Sequence, residues 1–92
     1  MPVPSFSVMT LAEFTRQPLV RQMAVVLSTG TFVAQRLEPT CAVNLFHLPG
    51  CFLVEVYIHT ERHRISRVRA FPDTASLAEY AATLYLPDGL AG

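Results

Sequence analysis

The chain has no lysine, so all of its basic side chains are arginines. Every one of these cations is planar, forked and permanently protonated. Charge of either sign is scarce: charged residues make up 15% of the chain, well below the usual share. Seven basic residues balance seven acidic ones. That balance argues against a generic nucleic-acid binder, which carries a basic excess. It also argues against an electrostatic membrane-surface protein, which clusters its cations. Cys41 and Cys51 are the only cysteines, too few for the disulfide framework of a small secreted domain. No signal peptide is expected, because Met1-Pro2-Val3-Pro4-Ser5 lacks both a basic start and a long apolar stretch. The longest apolar run, Leu45 to Ile58, is interrupted by His47, Pro49-Gly50 and Glu55, which excludes a membrane span. A cytoplasmic protein without a membrane partner is the expectation.

What the chain does have is apolar content. Hydrophobic residues make up 51% of its 92 residues. This is enough to offset the entropy of folding and to build one domain, residues 1–92. With so few charges on the surface, some apolar area is expected to be covered by a second copy or another protein.

Residues 1–9 hold two prolines and two serines and read as a flexible arm. Thr10-Leu11-Ala12-Glu13 fits a capping box, in which hydroxyl and carboxylate reciprocally satisfy two backbone N–H groups. A helix should start there. Pro18 is costly inside a helix and welcome in a first turn. The spacing therefore predicts two short helices, near 11–16 and 18–28, with a single kinked helix as the alternative. Val20, Met23, Ala24 and Leu27 make an apolar stripe at helical spacing, and Gly30 is the predicted stop.

From Thr31 the period changes to two. Strands are predicted over 31–37, 41–48, 51–59 and about 64–71, separated by turns at Glu38-Pro39-Thr40, Pro49-Gly50 and 60–63. Ser76-Leu77-Ala78-Glu79 offers a second capping box. Leu77, Tyr80, Ala81 and Leu84 then form a helical stripe ended by Pro87-Asp88-Gly89, with residues 87–92 a loose tail. The predicted class is α+β: an N-terminal helix or helix pair, a four-stranded antiparallel meander and a C-terminal helix, αββββα, with the helices mainly on one face.

A tight turn at Pro49-Gly50 pairs Leu45 with Val54 and Phe46 with Leu53. Cys41, Val43, Leu45 and His47 then share the core face with Phe52, Val54, Val56 and Ile58. The other face carries Asn44, Phe46, Leu48, Cys51, Leu53, Glu55 and Tyr57. The cysteines point to opposite faces, which argues against a disulfide. A one-residue slip would put the cysteines on the same face, though still far apart. In the fourth strand Ile65 and Val68 differ in parity. A β-bulge near Ser66 would return both to the core and turn Arg67 and Arg69 outward, near Glu55.

No segment carries a motif that demands a chemistry. His47, His59 and His63 do not converge with metal-ligand spacing, so neither a metal nor a cofactor is expected. Neither cysteine sits in a nucleophile elbow, and no catalytic residue is assigned. An enzyme, if there were one, would use the outer-face set Glu55, Tyr57, His59 and Arg67. The cluster Arg62-His63-Arg64-Ile65-Ser66-Arg67-Val68-Arg69 could hold phosphates, with Tyr57 or Phe46 stacking on a base. A ligand or single-stranded nucleic-acid face of Glu55, Tyr57, His59, Arg67 and Arg69 is therefore a second reading. The first is a protein-interaction or assembly module. It would form a homodimer or other homo-oligomer, with Phe46, Leu48, Cys51 and Leu53 at the contact.

Pro49-Gly50-Cys51-Phe52-Leu53-Val54-Glu55-Val56-Tyr57, followed by Ile65-Ser66-Arg67-Val68-Arg69-Ala70-Phe71, resembles small uncharacterised bacterial proteins of this length. Those proteins share an apolar strand ending in a V-E-V-Y-like run and then an Arg-rich strand ending in Phe. The resemblance covers the second half of the chain and implies no residue role.

Overall fold

A computed structural model describes residues 8–80. The predicted capping box is present: Glu13 N–H donates to the Thr10 hydroxyl at 3.1 Å, and Thr10 N–H donates to Glu13 Oε1 at 2.9 Å. It opens α1, Leu11–Thr15. Pro18 then stands extended, with ψ 160°, as the N-cap of a separate helix α2, Leu19–Thr29. The chain thus has two helices here and not one kinked helix. Gln22 Nε2 donates to the Phe14 carbonyl at 3.0 Å and ties them together. Gly30 ends α2 by close approach: a side-chain carbon there would lie 2.7 Å from the Val26 carbonyl oxygen.

Four strands follow: β1 Thr31–Leu37, β2 Cys41–Leu48, β3 Phe52–His59 and β4 Arg64–Pro72. They form one antiparallel sheet in sequence order, the predicted meander. Beyond Pro72 the described chain ends in a single 3-10 turn, Ala78–Tyr80. The C-terminal helix predicted to start at Ser76 is, as far as Tyr80, only this 3-10 turn, and its remainder lies outside the described residues, as do residues 1–7 of the predicted arm. Met9 of that arm packs against the core.

The central register differs from the expected one. Leu45 stands opposite Glu55, Phe46 opposite Val54 and Leu48 opposite Phe52. The loop contains three residues, because Cys51 adopts the left-handed conformation at φ 62°. Its N–H donates to the Leu48 carbonyl at 3.1 Å. A turn followed by a left-handed residue is the common three-residue hairpin, and the extra residue slips β2 by one against β3. Every β2 side chain therefore lies on the face opposite to expectation.

One face now carries Phe46, Leu48, Phe52, Val54, Val56, Ile58, Ile65, Val68 and Ala70. Both helices pack there through Phe14, Met23 and Val26, and the Phe14 and Phe52 rings meet at 5.4 Å. The buried side of α2 is not the expected stripe, since Val20 is 82% and Leu27 73% exposed. Arg21, Gln22, Ser28 and Thr29 fall toward one side of α2, so its own period favours burying the opposite side, with Val20 and Leu27. The attachment to α1 through Phe14 and Gln22 buries Val26 instead.

The bulge expected near Ser66 is present. Tyr57 pairs with Arg67 and Ile58 with Ile65, leaving Ser66 as the extra residue. Ile65 and Val68 consequently both join the helix-covered core. A second bulge, at Val33, lies in β1.

Candidate functional site

The opposite face of the sheet carries Ala34, Arg36, Cys41, Val43, Leu45, Leu53, Glu55, Tyr57, Arg67, Arg69 and Phe71. β3 is the second of three consecutive paired strands, and residues 52–57 are buried on both faces. Glu55 is therefore completely buried. A carboxylate at that depth is tolerated only when its lone pairs are filled.

They are filled by four side chains. Arg69 Nε donates to Oε1 at 2.7 Å and the Tyr57 hydroxyl donates to the same oxygen at 3.0 Å. The Tyr80 hydroxyl donates to Oε2 at 2.7 Å and Arg36 Nη2 donates to it at 3.3 Å. Arg36 also reaches Glu38, and its Nη2 donates to the Tyr57 hydroxyl at 3.1 Å. Its guanidinium lies 5.8 Å from the Tyr57 ring centre and 5.4 Å from that of Tyr80. Arg36 Nε is buried and has no hydrogen-bond partner among the described residues.

Burial alone would push the Glu55 carboxyl up. The hydrogen bonds from Tyr80, Arg69 and Tyr57 outweigh it and hold the group below the ordinary carboxylate range. Burial, and then its hydrogen bond to Glu55, push the Tyr80 phenol well above its ordinary value. Arg69 is raised chiefly by its bond to Glu55. Glu55 is thus a fixed anion with its acceptor sites engaged, and Tyr80 is a neutral donor.

Of the residues expected on this face, the structure brings together Glu55, Tyr57 and Arg69. Arg67 stacks on Tyr57 at 4.8 Å from the ring centre and reaches no carboxylate in the cluster. The Arg36 guanidinium also lies near the Tyr57 ring, and Tyr57 is itself buried. Phe46, the other expected stacking ring, is on the helix-covered face and meets Phe32 edge-on at 5.8 Å. His59 turns into its own loop, where Nδ1 accepts from the N–H groups of Glu61 and Arg62. The Glu55–Arg69 pair, expected as an exposed surface pair, has its anion fully buried.

The expected contact set is dispersed by the register slip. Phe46 and Leu48 lie under the helices, Leu53 lies buried on the opposite face, and Cys51 is exposed in the turn. Cys41 is buried, and both cysteines are free thiols. Among the described residues no group of three His, Cys, Asp or Glu side chains converges, and no helix is long and apolar enough to cross a membrane.

Sequence reasoning missed Arg36 and Tyr80. One signal was present: a lone Glu inside Phe52-Leu53-Val54-Glu55-Val56-Tyr57-Ile58 requires cationic or hydroxyl partners wherever that strand is central. The fold and the cluster define a small α+β sheet protein with one dry face and one ion-bearing face. No known protein family, curated protein or solved structure matches the chain.

Proposed function

We propose that the protein is a small assembly module that pairs with a second copy of itself through α2 and the adjoining edge strand β1. The observation that carries this reading is the unburied stripe of α2. Val20, Ala24 and Leu27 fall on one side of the helix, and the two large residues are 82% and 73% exposed. The stripe continues past Gly30 into Phe32, 55% exposed, and Val33 at the β1 bulge. α2 carries one charge, Arg21, in its whole length. Surface stripes of this kind are uncommon on monomers and mark contacts.

The stripe is also self-complementary. Across a two-fold axis near Ala24, an antiparallel α2 pair sets Val20 against Leu27 of the second copy, with the small alanine allowing close approach. Burying each large side chain contributes about 1.5–3 kcal/mol to association. The two sheet edges support the same direction. β4 carries Arg64, Arg67, Arg69, a bulge and a terminal Pro72, devices that discourage edge pairing, whereas β1 carries only Arg36 and its bulge.

Absolute mass by light scattering over a dilution series tests the proposal. A dimer that becomes monomeric with Leu27→Glu or Val20→Asp is the expected result. Both positions are exposed, so the fold should persist. A monomer at every concentration would overturn it.

A further inference from the structure

Four of the five groups in the Glu55 cluster are built into the sheet. Arg36 comes from β1, Glu55 and Tyr57 from β3, and Arg69 from β4. The fifth, Tyr80, arrives from outside it, at the end of a strap that leaves β4 at Pro72. The strap starts with Asp73, whose N–H donates to the Cys51 carbonyl at 3.4 Å and whose carboxylate meets His47 Nε2 at 3.1 Å. Its only regular structure is the 3-10 turn that delivers Tyr80. Leu77 and Tyr80 then sit on Ala34, Leu45, Leu53 and Phe71. The receiving half of this contact is therefore fixed by strand pairing, independently of the strap that fills it.

We propose that this face of the sheet is a preformed binding site for a phenol, and that Tyr80 is its displaceable occupant, supplied by the chain itself. Each part of a phenol has a counterpart. The hydroxyl donates to Glu55 Oε2 at 2.7 Å. The ring lies beside the Arg36 guanidinium at 5.4 Å, and Ala34, Leu45 and Leu53 form an apolar floor. A ring without the hydroxyl would leave a buried, charged acceptor short of a donor, which is how polar sites reject apolar analogues. This site is separate from the α2 and β1 surface and does not depend on how that surface is used.

The full chain carrying Tyr80→Ala, titrated with p-cresol and with toluene, tests the assignment. Saturable binding of p-cresol with a rise in Tm is expected, at least about tenfold tighter than toluene. Adding Glu55→Gln should reduce the preference, because a neutral amide oxygen accepts more weakly than a carboxylate. No saturable binding of p-cresol, or equal binding of toluene, would overturn the proposal. Should Tyr80→Ala fail to fold, Tyr80→Phe gives the answer by amide hydrogen exchange. Loss of the one hydroxyl should speed exchange in residues 74–80 by roughly tenfold or more while β2 and β3 are unchanged. Equal acceleration of strap and sheet would show Tyr80 to be part of one cooperative core and would overturn the proposal.

Discussion

On the helix-covered face, Phe14 and Val26 meet Leu48, Phe52, Val54 and Val56, and every buried side chain of that cluster is apolar. On the other face, one residue along the same central strand from Val54 and Val56, Glu55 is equally buried and holds Arg36, Arg69, Tyr57 and Tyr80 around it. The first face is held by area removed from water, a non-directional term that tolerates small shifts. The second is held by a set of directional bonds whose members depend on one another, because each lost partner leaves a buried charge or dipole behind. Adjacent residues of one strand can thus obey different rules.

The largest effects separate the two faces. Glu55→Ala should lower stability by about 3–5 kcal/mol, since Arg36 and Arg69 lose the anion they surround. Replacing the cluster as a whole should recover most of that loss. The variant has Arg36→Met, Glu55→Leu and Arg69→Met with Tyr57→Phe and Tyr80→Phe; the one partner it releases, Glu38, is exposed to solvent. Urea unfolding of the two variants checks this, and equal losses would mean that the ionic set is indispensable. Phe14→Ala should also cost about 3–5 kcal/mol, as a cavity beneath α1. No polar substitution elsewhere should rescue it.

A smaller effect sharpens the contrast through pH. The Glu55 carboxyl is held below its ordinary value in the fold. Its contribution is therefore fully present above the unfolded value and is lost as pH falls through the folded one. Between about pH 5 and pH 3 the urea midpoint of the parent should fall more than that of Glu55→Gln. The Phe14→Ala variant should keep the parent's slope, because the helix-covered cluster holds no titrating group.

The smallest effect concerns the loop that sets which residues face which way. Cys51 holds φ 62°, at a cost of about 1–2 kcal/mol for an L-residue. Cys51→Gly relieves it, less the extra freedom that glycine gives the unfolded chain. A net gain of about 0.5–1 kcal/mol in thermal unfolding is expected, with the register unchanged.

Much of this architecture is local in origin and was legible for that reason. Thr10 and Glu13 lie three residues apart and specify a helix start. Pro18 calls for a break or a kink, and the structure has the break. The parity conflict between Ile65 and Val68 has one economical solution, the bulge at Ser66, and that bulge also delivers Arg69 to Glu55.

What the residues by themselves determined is therefore the set of elements: the capped helix, its interruption at Pro18, four strands in meander order and the bulge in the fourth. Each follows from backbone sterics or side-chain parity within a few positions. The tertiary structure decided which faces meet. Whether Cys51 belongs to the turn or to the strand is a choice between two backbone states of one residue, and it moves every β2 side chain across the sheet. The buried side of α2 was decided there too, since the attachment to α1 buries Val26 in place of the Val20 and Leu27 side that the helix's own period favours. Arg36 and Tyr80 lie 19 and 25 residues from Glu55 along the chain. Their meeting is a property of strand pairing and of the strap, and no periodicity or spacing within either segment could have announced it.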